Sequence, residues 1–338
     1  MSGSRPDEAL ERLTRLAATL LEAPHAQIAL AAGVPADDPA GGPPPAGSRI
    51  SVPLRDANGE RLGSLVVSAG GPREWTARDR EVLEALAEAA AVAAGAAILA
   101  RILQETLLPP TLPEIPGLEV AARYHPAGTG VEVVGDFYDV FQSGREAWNI
   151  VVGDVMGKGI NAAKVTALAH YTLRAAAMRG DSPSAGLATL NRALLEQASA
   201  VEPRFLTALL LTFTPGPHSV RLAMCTAGHE PPLLRRADGT AEFVELRGTL
   251  LGALPEPELE DVDLVLHTGE QLVLYTDGVI DARRGRERFG DERLRALVAA
   301  SPAGTAAELA DEIEAAVLGF NDGPLPDDAA MVVLVGRS

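Results

Sequence analysis

The pattern of apolar and polar residues separates a short N-terminal part of the chain from a longer part that is rich in strands. Leucines recur at helical spacing in residues 7–23, which predicts an amphipathic helix. The apolar runs Arg49–Arg55 and Arg61–Ser68 are separated by the turn sequence Asp-Ala-Asn-Gly and predict a β-hairpin. Thr76 is a candidate N-cap for a long helix that ends near Leu108, before two prolines.

From Leu118 onward, strand-like runs alternate with turns, and helical patterns occur in two separate pairs. The predicted strands are Leu118–Tyr124, Phe137–Gln142, Trp148–Val152, Leu206–Phe213, Val220–Thr226, Gln271–Tyr275 and Met331–Val335. The predicted helices are Ile160–Arg179, Ser184–Ser199, Asp291–Ala300 and Ala306–Gly319. Strand meanders with segregated helix pairs predict an α+β fold rather than regularly alternating βαβ units.

The overall charge excludes several classes of function. The chain has 338 residues, about two domains' length, and its 29 Lys and Arg against 46 Asp and Glu give a net charge of −17. Nucleic acids and anionic membranes both need a basic face, so neither is an expected partner. A two-metal nuclease conflicts with the same charge. Sites that gather divalent cations remain compatible with it.

The cysteine content and the apolar stretches predict a cytoplasmic protein. Cys225 is the single cysteine, so an internal disulfide cannot form and a reducing compartment fits. The N-terminus begins polar, without the apolar segment of a signal peptide. The longest uncharged apolar stretch, Ala89–Ala100, has 12 residues, whereas a membrane-spanning helix needs roughly 20.

Acidic residues recur at the ends of apolar strands. They are Asp136 in VVGDFYDVF, Asp154 in VVGDVMGKG, Asp277 in LYTDGVIDA, and Asp327 with Asp328 in LPDDAAMVVL. A strand end fixes a carboxylate on a rigid element, but two carboxylates about 4 Å apart repel by roughly 4 kcal/mol. Divalent cations would neutralise such a cluster, and oxygen ligands suit Mg²⁺ or Mn²⁺. No set of Cys and His with zinc spacing is present.

The ordered segments G-D-F-Y-D, G-D-V-M-G-K-G, A-G-H-x-P-P, T-D-G-V-x-D-A and D-D-A-A-M-V-V resemble the motif series of the PPM metal-dependent protein phosphatases, in their SpoIIE-like bacterial branch. The resemblance extends from about Leu103 to Arg337. It implies an αββα sandwich, the PPM phosphatase fold, over residues 118–338. It also implies that two divalent ions, Mn²⁺ or Mg²⁺, lie at one end of the sandwich and activate a water for attack on a phosphate ester.

The same resemblance implies a role for each acidic residue. Asp154 is expected to bridge both ions, with the backbone carbonyl of Val155 as a further ligand. Asp277 and Asp327 are expected to hold one ion, beside Asp328, and Asp136 to bind the other directly or through water. The proton donor to the leaving group is left open between water and His125. His229 in the A-G-H motif is interpreted as stabilising a turn rather than as catalytic.

Residues 1–98 resemble a shortened GAF domain, a small α/β sensor or regulatory domain. The resemblance rests on the segment ISVPLRDANGERLGSLVVSAGGPREWTARDREVLEALAEAAAVAA. Ligand binding and a purely structural packing role are both open for this domain. A helical linker is predicted over residues 99–117, and a homodimer could form through the N-terminal domain and this linker.

Two functions follow from these resemblances. The first is a serine/threonine phosphatase that hydrolyses phosphoserine or phosphothreonine on a protein, for which the resemblance implies a STAS-domain anti-anti-sigma factor as substrate. The second is a catalytically silent scaffold of the same fold that binds a phosphoprotein. Retention of all four acidic motifs favours the first function.

Overall fold

The computed structural model describes residues 6–30, 49–56, 59–107, 111–127, 135–144, 147–157, 160–197, 204–216 and 219–337. The chain divides into two compact units, Met1–Ile102 and Leu103–Ser338. The division point falls inside the predicted linker 99–117. None of the helices in the described ranges combines the length and the apolar character that crossing a membrane requires.

Among its described residues, the first unit contains a three-stranded antiparallel sheet and two helices. Its elements are α1 (Pro6–Leu20), β1 (His25–Leu30), β2 (Arg49–Arg55), β3 (Arg61–Ser68) and α2 (Ala77–Leu107), the last of which continues past the division point. The strand order is β1-β3-β2. The predicted hairpin is confirmed at both of its strands.

Helix α1 ends earlier than its leucine pattern predicts, at Leu20 instead of residue 23. Glu22 adopts a left-handed φ of 47°. The N–H groups of Glu22 and Ala23 donate to the carbonyls of Thr19 and Ala18, at 3.2 and 2.9 Å. These two bonds form a Schellman-type turn, which satisfies the last carbonyls of the helix and stops it.

The second unit consists of two five-stranded antiparallel sheets and five helices among its described residues. In chain order its elements are β4 (Leu118–His125), β5 (Asp136–Ser143), β6 (Ala147–Val155), α3 (Ile160–Met178), α4 (Pro183–Gln197), β7 (Leu206–Pro215), β8 (Ser219–Ala227), β9 (Leu233–Arg235), β10 (Ala241–Phe243), β11 (Val262–His267), β12 (Gln271–Tyr275), α5 (Asp277–Ile280), β13 (Arg283–Arg284), β14 (Glu287–Arg288), α6 (Gly290–Ala300), α7 (Ala306–Phe320) and β15 (Ala329–Gly336). One sheet has the order β10-β9-β12-β15-β4 and the other β11-β8-β7-β6-β5, and β13 and β14 form a separate hairpin.

The two sheets pack face to face and a helix pair covers each outer face, so the predicted α+β sandwich is confirmed as four layers. Strand β15 illustrates why. Val332 and Leu334 face the core between the sheets, whereas Met331 and Val333 face the core that α6 and α7 cover. Helices α3 and α4 cover the other sheet in the same way. Both faces of the central strands are therefore buried, and these strands read as continuous apolar runs instead of alternating ones.

A buried ion pair attaches helix α3 to strand β5. The guanidinium of Arg174 donates to both carboxylate oxygens of Asp139, at 2.8 and 2.9 Å, and Nδ1 of His170 lies 3.1 Å from the same carboxylate. Asp139 is buried, and Arg174 also stacks over the ring of Phe141. Two partners for one buried carboxylate offset its loss of hydration and hold α3 in register with the strand that begins at Asp136.

A buried histidine lies at the turn that follows β8. His229 Nδ1 lies 2.9 Å from the hydroxyl of Thr207 in β7, and its backbone N–H donates to Thr226 at 3.0 Å, which closes the turn after β8. Burial lowers the pKa of His229 to about 4. The folded protein therefore keeps His229 neutral at physiological pH.

We expect the neutral state of His229 to make stability depend on pH. Because its folded pKa lies below the ordinary value, the contribution is fully present above about pH 6.5 and is lost as the pH falls toward 4. The wild-type chain should lose about 2–3 kcal/mol of unfolding free energy through this group between pH 7 and 4.5. Urea denaturation at both pH values measures the loss, and His229→Gln should reduce the loss by that amount. An identical loss in the two proteins would contradict the assignment.

Candidate metal centre

Two of the predicted acidic residues are direct partners across neighbouring strands. Asp136 opens β5 and pairs with Asp154 near the end of β6. Partners in an antiparallel ladder project from the same face of the sheet, so the two carboxylates lie side by side. Asp154 also pairs with Thr207 on its other side, and Thr207 is the residue that contacts His229. The ladder therefore fixes the position of Asp154 from both directions.

The opposite sheet supplies the third carboxylate. Strand β12 ends at Tyr275, and Asp277 begins the short helix α5 that follows. Carboxylate oxygens of Asp136, Asp154 and Asp277 all lie within 4.8 Å of one another, a spacing at which one ion could contact all three. The structure thus brings together three of the predicted ligands, which are 18 to 141 residues apart in the chain, at one end of the sandwich.

Glycines beside these acids permit a close approach of backbone segments. A Cβ at Gly135 would lie 2.2 Å from the carbonyl oxygen of Val155 and 2.5 Å from Oδ1 of Asp154. A Cβ at Gly278 would lie 1.6 Å from the carbonyl oxygen of Asp328. Any other residue at either position would force the acidic segments apart. The predicted carbonyl ligand of Val155 consequently lies beside the Asp154 carboxylate.

A threonine that the sequence analysis did not single out holds Asp136 in place. The hydroxyl of Thr276 donates to Oδ2 of Asp136 at 2.6 Å and accepts the backbone N–H of Ala330 at 2.9 Å. Thr276 thereby ties β5 to β12 and β15. Its position directly before Asp277, in the T-D-G motif, is the signal from which a ligand-holding role could have been inferred.

The last acidic motif contributes in two different ways. Asp328 is buried, and its carboxylate accepts the backbone N–H of Ala127. Asp327 is exposed, accepts the backbone N–H of Asp328 at 3.0 Å, and raises the pKa of Asp277 through its charge. Asp327 therefore lies beside the three-carboxylate cluster on its solvent side, while Asp328 fastens the segment before β15.

The cluster resists full ionisation. Burial raises the pKa of Asp136 well above its ordinary value, and the charges of Asp154, Asp328 and Asp277 raise it further against the lowering effect of the Thr276 bond. The pKa of Asp277 is raised by burial and then by Asp327. Because both folded pKa values are raised, stability without a counter-charge is lost as the pH rises through them. An all-oxygen, strongly anionic donor set of this kind fits hard divalent cations such as Mg²⁺ or Mn²⁺.

Further charged groups surround Asp277. Burial raises the pKa of Glu230, and the charges of Asp291 and Asp277 raise it further, whereas Arg288 lowers it. Arg288 forms an ion pair with Asp281, at the C-terminal end of α5. Glu230 follows His229 in the A-G-H motif, yet a lone Glu in a turn carried no signal by which the sequence analysis could have found it.

Family models match both parts of the chain. A family model described as Stage II sporulation protein E (SpoIIE) matches residues 144–335, and a GAF domain model matches residues 24–94. Phosphoserine phosphatase RsbU of Bacillus subtilis is 30% identical to the chain over 237 residues, which cover 70% of this chain and 68% of that protein.

Solved structures share the fold of the second unit. The RsbU and RsbW domains of Rv1364c from Mycobacterium tuberculosis match with 26% identity and a TM-score of 0.56, over 68% of this chain and 63% of that one. The SiaA-PP2C domain of Pseudomonas aeruginosa matches with 22% identity and a TM-score of 0.62, over 75% of this chain and 99% of that one, which shows the fold alone. The chain therefore belongs to the SpoIIE family and combines a GAF domain with a protein serine/threonine phosphatase domain of the PP2C fold.

Proposed function

We propose that the chain hydrolyses phosphoserine or phosphothreonine on a protein with the help of two divalent cations, Mn²⁺ or Mg²⁺. The observation that carries this proposal is the cluster of Asp136, Asp154 and Asp277, whose carboxylate oxygens lie within 4.8 Å of one another. Such a cluster is costly in a folded protein unless cations neutralise it, and the family to which the chain belongs contains phosphatases.

We propose a separate role for each of the acidic residues in holding the cations. Asp154, fixed in the ladder between β5 and β7, is proposed to bridge the two ions together with the carbonyl of Val155. Asp277 and Asp327 are proposed to hold one ion and Asp136 the other. Two ions bound there would lower the pKa of a shared water and stabilise the charge that develops on the phosphoryl group. Asp328 is proposed to support the set through its bond to the Ala127 backbone.

The protein's own polar groups keep this arrangement rigid. The Thr276 hydroxyl orients the Asp136 carboxylate. The same hydroxyl accepts the backbone N–H of Ala330 in β15, so the position of β15 also determines the position of Thr276. His125, the residue left open as proton donor, has its Nε2 only 2.9 Å from Oε1 of Glu314. Because Nε2 of His125 is engaged with the Glu314 carboxylate, we propose that the proton for the leaving group comes from water instead.

The proposed substrate is a phosphorylated STAS-domain protein that antagonises an anti-sigma factor, and the proposed location is the cytoplasm. The matched relative RsbU is named as a phosphoserine phosphatase, and the resemblance of the motifs extends to that branch of the family. The net charge of −17 disfavours nucleic acid as a competing partner.

We also propose that the chain forms a homodimer through its GAF domain and helix α2. The helix spans 31 residues, and Val92 on it is 78% exposed. Sedimentation equilibrium of the full chain is expected to give twice the mass of 35.2 kDa. A concentration-independent monomer would refute the dimer without affecting the proposed activity.

The purified chain should hydrolyse p-nitrophenyl phosphate and a phosphoserine peptide only when Mn²⁺ or Mg²⁺ is added. Asp154→Asn and Asp277→Asn should each lower kcat/KM by at least about 100-fold, because even residues that merely hold metal ligands contribute 10–100-fold. The matched control is Asp263→Asn, which removes an exposed carboxylate from β11 and should retain the wild-type rate.

The alternative function, a catalytically silent scaffold, predicts a different result in the same assay. A silent scaffold would bind the phosphopeptide but release no phosphate at any concentration of Mn²⁺ or Mg²⁺. Hydrolysis that persists in EDTA, or that survives Asp154→Asn in full, would contradict the two-cation mechanism.

A further inference from the structure

An arginine-rich hairpin stands out on this acidic chain. Strands β13 and β14 with their two-residue loop have the sequence Arg-Arg-Gly-Arg-Glu-Arg, residues 283–288, and every one of these residues is exposed. Four arginines in six residues contrast with the net charge of −17 of the whole chain. We call residues 283–288 the arginine hairpin.

The arginine hairpin has a defined turn and is hydrogen-bonded to the residues that follow helix α7. Gly285, at φ 60°, is the first of the two loop residues, where a type II′ turn needs glycine. The backbone N–H groups of Arg283 and Gly285 donate to the side chains of Asn321 and Asp322, at 2.7 and 3.0 Å. The hairpin is thereby fastened to the end of helix α7, so its side chains leave from a fixed backbone.

The four arginines of the hairpin differ in their surroundings. Arg284 donates to the carbonyls of Phe320 and Gly319 and stacks over the Phe320 ring, and Arg288 is paired with Asp281. Among the residues that the structure describes, no carboxylate pairs with the guanidinium of Arg283 or of Arg286. Two arginines thus hold the hairpin in place and two remain open to a ligand.

The register of the hairpin makes the open charges costly. Arg283 and Arg288 are direct cross-strand partners, and like charges in that position are destabilising. Asp281 compensates the charge of Arg288 only. Of the acidic groups beside the hairpin, Glu287 pairs with Arg293 and Asp322 accepts the backbone N–H of Gly285. An external anion beside Arg283 would relieve the repulsion.

The base of the hairpin adjoins the metal centre. The N–H of Asp281 donates to the carbonyl of Asp277 at 2.8 Å, so the carboxylate that binds Arg288 lies one helical turn from a proposed metal ligand. The charge of Arg288 also lowers the pKa of Asp277. Arg283 lies opposite Arg288 at this base, and Arg286 lies in the loop at the other end of the two-residue strands.

We propose that the arginine hairpin binds acidic side chains that flank the phosphorylated residue of the protein substrate. The proposal rests on the function proposed above, because that function places the phosphoserine at the three-carboxylate cluster. An extended chain advances about 3.3–3.6 Å per residue, so acidic residues within roughly five positions of the phosphoserine can reach the hairpin. The rest of the chain repels such a segment, and the hairpin supplies the complementary charge.

The test compares two phosphoserine peptides that differ only in their flanks, one with Asp and Glu and the other with Asn and Gln at the same positions. At low ionic strength the wild-type chain with Mn²⁺ should favour the acidic peptide about fivefold to tenfold in kcat/KM, the size expected of a few exposed ion pairs. The preference should fall toward one in about 0.5 M salt, because salt screens exposed charges.

The double variant Arg283→Glu/Arg286→Glu should abolish or invert this preference. The control Arg192→Glu/Arg221→Glu changes the net charge equally at exposed positions of α4 and β8 and should keep it. The ratio of the two peptides within one protein cancels any change at the metal centre itself. Arg283→Gln/Arg286→Gln replaces the charge-reversed variant if that variant does not fold.

The outcomes separate this proposal from the function on which it rests. A wild-type chain that hydrolyses both peptides equally, or a double variant that keeps the wild-type preference, would overturn the hairpin proposal and leave the phosphatase intact. A chain that hydrolyses neither peptide nor p-nitrophenyl phosphate with Mn²⁺ would overturn both.

Discussion

Repulsion among the carboxylates of Asp136, Asp154 and Asp277 is the interaction on which the site depends. Their oxygens lie within 4.8 Å of one another, and at such distances each pair opposes folding by roughly 4 kcal/mol when both members are ionised. Burial, and after it the charge of Asp154, raises the pKa of Asp136. Without cations this repulsion lowers the stability of the domain, so the cation binding that we propose would raise it.

The sandwich holds the carboxylates together from two sheets at once. Asp136 and Asp154 lie on adjacent strands of one sheet, and Asp277 follows a strand of the other. Thr276 joins the two through its bonds to Asp136 and Ala330, and the buried His229 contacts the hydroxyl of Thr207, the ladder partner of Asp154. Because each contact crosses between segments that are distant in the chain, the centre forms only when both sheets are in register.

Strand positions and the acidic motifs were accessible from the sequence because they follow from local patterns. Continuous apolar runs predicted β12 at its observed bounds, Gln271–Tyr275, and the glycine-flanked acids indicated the three clustered residues. The strands β9, β10, β11, β13 and β14 were missed; all but β11 have three residues or fewer, which is too short for a periodic pattern. Thr276, the Asp139–Arg174 pair and Gly278 owe their roles to contacts with segments far along the chain. The roles of Asp136, Asp154, Asp277, Asp327, Asp328 and Val155 at the ions all stay predictions.

Calorimetric titration of Mn²⁺ into the metal-free chain, in mildly acidic buffers of different ionisation enthalpy, tests the central claim most directly. The account predicts two ions per chain and a release of protons, because cations displace the proton that the raised pKa retains on Asp136. It also predicts that Asp154→Asn abolishes the binding of at least one ion. A wild-type chain that takes up no Mn²⁺, or an Asp154→Asn variant that binds as many ions as the wild type, would contradict the account.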